Sequence, residues 1–279
     1  MTIKVCLAGA TGWAGSALAR GMVAAPDLTL VAAVSRKVAG RTLADVLAEP
    51  RLATPVFASA AQALATPCDV FVEYTKPDSA KANVLQALER AGAVVVGTSG
   101  LTDADYAEID ARAKAHAKPV LACGNFALTV VLMQKFAEAA ARWIPSWEIV
   151  DYAHEDKPDA PSGTARELAS RLAAVRTPEV HLPIDQVRGS REARGGTVSG
   201  TQVHSIRVPG FTLSTEVIFG MGGQRLSIRH DTGPSAEPYV EGALLAIRKV
   251  ATLPPGVHRG LDKVLEMGSG TFSAPEASR

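Results

Sequence analysis

Three stretches of this sequence carry residue types at spacings that chemistry needs. The first is Gly9-Ala10-Thr11-Gly12-Trp13-Ala14-Gly15, a G-x-x-G-x-x-G run between an apolar segment at residues 3–8 and a helical pattern from Ser16 to Val23. Glycines here permit a tight turn and close approach of backbone to a pyrophosphate, and the helix N-terminus adds amide donors and the positive end of its dipole. A glycine triplet alone also fits a structural turn; the strand–loop–helix context favours nucleotide binding. The second stretch is Val34-Ser35-Arg36-Lys37, at the end of the next apolar run. An acidic residue there would bond the ribose hydroxyls of NAD. Two cations stand instead, and a guanidinium fork suits a 2′-phosphate. The pair either favours NADPH or is simply solvated surface charge. The third is Asp151 to Thr164, Asp-Tyr-Ala-His-Glu-Asp-Lys-Pro-Asp-Ala-Pro-Ser-Gly-Thr. Ser162 is a good N-cap, and the amides of Gly163 and Thr164 follow it as first-turn donors. With His154 and Lys157 just upstream, the segment suits a carboxylate. It equally describes an exposed loop before a capped helix. Tyr152 and Lys157 are five apart, so the Y-x-x-x-K spacing of short-chain dehydrogenases is missing.

The elements that must hold these groups follow from apolar periodicity. Strands are expected at residues 3–8, Leu28–Val34, Val70–Tyr74, Val94–Gly97 and Pro119–Cys123. Helices are expected near 16–23, 42–48, 59–65, 78–91 and 103–116. Alternating strands and helices predict a parallel sheet covered on both faces. The third strand turns polar at Glu73 and Tyr74, and the carboxyl ends of such strands carry ligand sites. After Asn125 the pattern changes. An amphipathic helix near Val130–Trp143, a strand at Glu148–Tyr152 and a helix from Ser162 precede three period-two segments, Thr197–Val208, Thr212–Phe219 and Gln224–His230, read as antiparallel strands. A helix near Glu237–Val250, a short Leu261–Leu265 segment and a Gly/Ser/Thr/Pro tail expected to fray close the chain. The fold class is α/β: an N-terminal Rossmann dinucleotide-binding domain at 1–124, then a C-terminal α+β domain with a mainly antiparallel sheet.

Composition excludes several function classes. Lys plus Arg number 29 and Asp plus Glu 28, and aromatics are 5%, so neither a basic surface for nucleic acid nor a base-stacking platform is indicated. No apolar run approaches the ~20 residues of a membrane helix. The strand pattern starts too near Met1 for a signal peptide. Cys6, Cys68 and Cys123 form no C-x-x-C and read as buried reduced thiols of a cytoplasmic protein. His116, His181, His204 and His258 lack metal-ligand spacing and read as surface or loop residues. His230, at a strand end, is open to a role in a cleft. Trp143 and Trp147 read as packing residues, and no metal site is expected.

The Asp151–Thr164 segment closely resembles the signature of the 4-hydroxy-tetrahydrodipicolinate reductase (dihydrodipicolinate reductase) family, roughly E-x-H-H-x-x-K-x-D-A-P-S-G-T. The similarity runs through most of the chain. Phe71-Val-Glu-Tyr-Thr-Lys-Pro resembles the family's third-strand segment, Val96-Gly97-Thr98-Ser99-Gly100 its V-G-T-T-G, and Gly124-Asn125-Phe126-Ala127 its A-N-F-S. The segments from Gly223 to His230 and from Leu261 to Leu265 also fit. The resemblance implies an NAD(P)H-dependent oxidoreductase that reduces a cyclic imine dicarboxylate on the lysine/diaminopimelate pathway. It implies a substrate-binding and oligomerisation domain at 125–235, a segment at 236–279 returning to the Rossmann domain, and a homotetramer. Gly9, Ala10, Thr11, Gly12, Trp13 and Ala14 would hold the pyrophosphate, and Arg36 the adenosine ribose phosphate. Gly97, Thr98 and Ser99, with Cys123, Gly124, Asn125 and Phe126, would line the nicotinamide side. His154, Ser162, Gly163 and Thr164 would bind a substrate carboxylate, with Lys157, and His154 beside it, as catalytic groups. NADPH is the expected cofactor and NADH the second candidate.

The chain departs from the family pattern at four places. Ala153 stands where the family has the first of two histidines, its proposed principal acid/base. Ala127 replaces a serine. Ser214-Thr215-Glu216 occupies the place of an expected histidine, and no Ser-Arg follows His230 in Thr232-Gly-Pro-Ser-Ala-Glu. Two alternatives to the family reaction therefore stand: a paralogue reducing another imine or oxo acid, and a non-catalytic NADPH-binding sensor.

Overall fold

The structure, a computed structural model, describes residues 2–265; the tail expected to fray lies outside the described residues. In chain order the strands are β1 (Ile3–Ala8), β2 (Leu28–Val34), β3 (Val56–Phe57), β4 (Val70–Glu73), β5 (Ala93–Val96), β6 (Pro119–Ala122), β7 (Ser146–Ala153), β8 (Gly196–Val198), β9 (Thr201–Arg207), β10 (Leu213–Met221), β11 (Gln224–Thr232) and β12 (Gly256–Arg259). The helices are α1 (Trp13–Val23), α2 (Leu43–Leu47), α3 (Ala60–Ala63), α4 (Pro77–Arg90), α5 (Asp103–Ala115), α6 (Leu128–Ala141), α7 (Gly163–Val175) and α8 (Val240–Lys249). The described residues divide into two compact units: those up to Leu128 with Ser235–Leu265, and Thr129–Pro234.

The first unit is built on a seven-stranded parallel sheet in the order β12-β6-β5-β4-β1-β2-β3. Every residue of β4, β5 and β6 is buried, as expected of parallel strands covered on both faces. The order reverses at β1, which pairs with β2 on one side and β4 on the other. That reversal opens a crevice at the strands' carboxyl ends. Capping boxes of Thr42 with Asp45 and Thr102 with Asp105 start α2 and α5, and Pro77 starts α4. Two strands lie outside the sequence expectation. β3 has two residues, too few to show a period, and pairs only with Ala33 and Val34. β12, Gly-Val-His-Arg, has no apolar run; it is held by pairing with β6, with the Gly256 amide donating to Lys118 O (3.1 Å) and the Gly260 amide to Ala122 O (2.8 Å). His258 is therefore a strand residue, not a loop one. The helix expected from Glu237 starts as a 3-10 turn, Glu237–Tyr239, before α8. α8 lies against α1, where a Cβ on Gly21 would overlap the Val240 side chain. Arg248 grips Asp27 with its Nε and Nη2, at 2.7 and 2.9 Å.

The second unit holds a five-stranded sheet, β11-β10-β7-β9-β8. The segment read as one strand, Thr197–Val208, reverses at Ser199-Gly200. Both residues have positive φ (48° and 80°), the backbone of a two-residue hairpin. β9 then pairs with β7 in parallel, so the sheet is mixed rather than purely antiparallel. Along β7 burial alternates strictly. Trp147, Ile149, Asp151 and Ala153 face the side covered by α6 and α7, which are tied by an Arg171–Glu138 ion pair of 3.1 Å. Glu148, Val150 and Tyr152 face the other side, in register with His204 and Ile206 of β9 and Glu216 and Ile218 of β10. His204, expected at the surface, is thus a sheet residue whose Nε2 lies 2.7 Å from Glu148 Oε2. Trp147 packs on Phe219, but Trp143 is 47% exposed and fills no core.

Candidate active site

Gly9, Thr11, Gly12 and Arg36 line a cleft of about 430 Å3 at the carboxyl ends of β1 and β2. Trp13, Ala14, Gly97, Thr98, Ser99, Gly124, Asn125 and Phe126 line a second of about 290 Å3. Tyr74 and Thr75 are common to both. Twelve of the fourteen residues expected at a cofactor thus converge, all within the first unit. Ala10 and Cys123 do not line either cleft; both are buried behind it. Backbone proximity explains the glycines. Gly9 has φ +79°, and a Cβ on it would overlap the Tyr74 carbonyl. A Cβ on Gly15 would overlap the Gly9 carbonyl oxygen and lie 2.8 Å from its carbon. α1 is therefore pressed onto the turn with its first amides bare. This cradle fits a dinucleotide pyrophosphate, and Arg36 and Lys37, with Lys76 of the loop after β4, place cations at the same cleft.

Tyr74, Thr75, Lys76 and Tyr239 are cleft residues outside the named cofactor set; of these the sequence pattern marks only the strand end at Tyr74 as a place for a ligand. The available signal was the polar end of an apolar strand. Tyr74 packs at a tilt against Phe126 (5.6 Å between centroids, 58° between planes) and leaves no room for a side chain at Gly97. Trp13 meets Tyr239 edge-on at 5.7 Å. Beneath them Glu73 is fully buried. Its carboxylate accepts from the Thr75 amide (2.6 Å), the Thr75 hydroxyl and Asn83 Nδ2 (2.9 Å). The Thr98 hydroxyl donates to the Glu73 carbonyl at 3.2 Å, so one residue ties the loops after β4 and β5.

Burial pushes the Glu73 carboxyl above the usual glutamate range, against the opposing pull of its hydrogen bonds from Thr75, Asn83 and Thr98. A folded-state pKa raised above the unfolded one stabilises fully below the unfolded value and loses that contribution as pH rises through the folded value. Thermal stability of the wild type is therefore expected to fall across that window relative to Glu73→Gln. Parallel melting curves of the two proteins from pH 4 to 8 would refute this.

The second unit presents the loop. β7 ends at Ala153, and His154 follows with Nδ1 accepting from the Asp156 amide (3.3 Å). Lys157 Nζ is 2.7 Å from Asp159 Oδ1, and this contact holds the Asp159 carboxyl below the usual carboxylate range. Ser162 caps α7, its hydroxyl accepting from the Ala165 amide at 3.3 Å. The amides of Gly163 and Thr164 remain as first-turn donors without an intrahelical acceptor. The expected residues His154, Lys157, Ser162, Gly163 and Thr164 are thus on one loop and helix start. Ala153 is fully buried in β7 and carries no proton to give. Ser214 and Thr215, in the stretch where the later histidine was expected, are also buried. His230 is buried too, its Nδ1 3.0 Å from the Thr129 hydroxyl. Among the described residues no group of three or more His, Cys, Asp or Glu side chains forms a metal cluster, and no helix is long and apolar enough to cross a membrane.

Comparison with known proteins agrees with both halves. The family model for the N-terminus of dihydrodipicolinate reductase matches residues 3–126, and that for its C-terminus residues 129–265. The 4-hydroxy-tetrahydrodipicolinate reductase of Moorella thermoacetica is 38% identical over 268 residues, 95% of this chain and 98% of its own. That of Desulfitobacterium hafniense is 36% identical over 266 residues, 95% and 99% of the two chains. A dipicolinate-bound dihydrodipicolinate reductase from a Paenisporosarcina species superposes with a TM-score of 0.84 at 30% identity, over 95% of this chain and 100% of that one. An amine dehydrogenase from Mycobacterium smegmatis, with a TM-score of 0.66 at 18% identity, shares the fold alone. The glycine cradle, the Lys157 loop and a match that spans both units converge on one conclusion: the chain belongs to the dihydrodipicolinate reductase family of oxidoreductases.

Proposed function

We propose that this protein is a cytoplasmic, NADPH-dependent reductase of a cyclic imine dicarboxylate, the 4-hydroxy-tetrahydrodipicolinate of the lysine/diaminopimelate route. The observation that carries the reading is the loop of the second unit: a lysine, a histidine and the bare amides of a capped helix within eleven residues of one another. A carboxylate is received there by charge-assisted hydrogen bonds and the helix-end field. Reduced nicotinamide, when bound, supplies the hydride. Gly9, Thr11 and Gly12 would hold its pyrophosphate, and Gly97, Thr98 and Asn125 would line the nicotinamide side. Negative charge that builds on the substrate during reduction is met by Lys157, whose Nζ also gives the proton in the absence of a histidine at position 153. NADPH oxidation with freshly generated 4-hydroxy-tetrahydrodipicolinate tests the reading directly. Ala153 and the buried Thr215 favour a second reading, a related imino acid as the true substrate, so a panel of imino and oxo acids belongs in the same assay. Tight NADPH binding without turnover of any panel member would instead favour a sensor.

Cofactor choice rests on Arg36. Exposed beside Lys37 and facing the same cleft as Lys76, it suits a 2′-phosphate. NADPH is expected to bind at least tenfold more tightly than NADH, or ~1.4 kcal/mol, and Arg36→Ala to erase most of that gap in a fluorescence titration of both dinucleotides. Equal affinities in the wild type would end the argument.

Assembly rests on the sheet face turned away from α6 and α7. Ile206 is 38% exposed there, beside Val150 and Ile218 and the Tyr152–Phe211 ring pair at 5.0 Å. Such a face is covered in the homotetramer we propose. Light scattering at micromolar concentration is expected to report four chains; a monomer would contradict it.

A further inference from the structure

We propose that Arg207 is a positioning residue of the reductase, which sets Lys157 and the α7 N-terminus for one substrate through the Asp151–Arg207 pair. The inference rests on the function proposed above. Arg207 lies at the end of β9, in register with Ala153, and its guanidinium reaches back to the Asp151 carboxylate in the covered side of the sheet. Nη2 donates to Asp151 Oδ2 at 2.8 Å and to the Asp159 carbonyl at 2.7 Å. Nη1 donates to the Ile206 carbonyl at 2.9 Å. The same Asp151 Oδ2 accepts the Ser162 amide at 2.8 Å. One buried ion pair therefore holds the later half of the loop at two points: Asp159, whose carboxylate grips Lys157 at 2.7 Å, and Ser162, which caps α7.

The pair is not arranged to maximise its own strength. Arg–carboxylate pairs gain most as parallel, bidentate forks. Here Asp151 Oδ1 and Arg207 Nε are both buried and without a hydrogen-bond partner. The fork is instead turned so that one nitrogen reaches the loop backbone. A pair serving only to stabilise the sheet has no need of the Asp159 carbonyl or the Ser162 amide. Lysine at 207 retains the charge against Asp151 but is a single point donor, without the fixed fork that serves carboxylate and carbonyl together.

Arg207→Lys is the informative variant, because Arg207→Met leaves Asp151 buried and uncompensated and is prone to misfold. Arg207→Lys is expected to bind NADPH as the wild type does and to melt as a folded protein. Its KM for the imine dicarboxylate should rise at least tenfold and its kcat fall at least tenfold. The dissociation constant of pyridine-2,6-dicarboxylate, measured by calorimetry, should rise in step. Asp159→Asn should lower kcat also, and the double variant should fall short of the product of the two effects, because both act through Lys157. Folded Arg207→Lys with unchanged KM, kcat and dicarboxylate affinity overturns the proposal, as does a loss confined to thermal stability. A wild type that neither turns over the substrate nor binds the dicarboxylate overturns the proposed function instead, and this inference with it.

Discussion

Lys157→Ala is expected to lower kcat by ~10²-fold or more while leaving NADPH affinity unchanged. A positioned proton donor contributes factors of this size, and Ala153, where the resemblance places the family's proposed principal acid/base, is fully buried and cannot transfer a proton. Lys157 is the accessible cation of the loop, a third exposed and oriented by Asp159. The residues proposed to hold the dinucleotide belong to the other unit, so cofactor binding gives an internal control. Lys157→Arg separates the two tasks of this side chain. A guanidinium holds a carboxylate but does not release a proton near neutral pH. Recovery of KM without kcat in Lys157→Arg identifies proton transfer, and recovery of both identifies carboxylate binding alone. Efficient turnover by Lys157→Ala would remove the residue from the mechanism.

Gly15→Ala is expected to abolish measurable dinucleotide binding, a loss of at least ~100-fold or ~2.7 kcal/mol, and to lower thermal stability. A methyl group on Gly15 would overlap the Gly9 carbonyl oxygen. Either α1 withdraws from the turn, taking its first amides away from the pyrophosphate, or the turn opens and Gly9 leaves its left-handed conformation. Gly222→Ala is the matched control. That residue has nothing within 4 Å of an added Cβ and no positive φ, and both properties should stay at wild-type values. Unchanged NADPH affinity in Gly15→Ala would show that the glycine run is not the pyrophosphate cradle.

Much of the first unit was legible in the sequence because its signals are local. Parallel strands buried on both faces read as continuous apolar runs, and β1, β2, β4, β5 and β6 all fall where such runs do. The glycine spacing is local too, since one turn and one helix start create the need for it. What escaped pattern reading depends on partners distant in sequence. β3 and β12 exist by pairing with β2 and β6. Period two marked Thr197–Val208 as strand but not its hairpin at Ser199-Gly200, nor that β9 joins β7 in parallel. Glu73 was visible as a polar end to an apolar strand, yet its use as a tie between two loops needs Asn83 and Thr98.

The loop shows the division most clearly. Residue types alone determined that His154, Lys157 and a capped helix start lie together, because they sit within eleven positions of one chain segment. That Asp151 and Arg207, 56 residues apart, anchor that segment at Asp159 and Ser162 was decided only by the register of β9 on β7. No periodicity encodes that contact: a buried charge finds its partner through strand pairing, and strand pairing is a property of the folded chain.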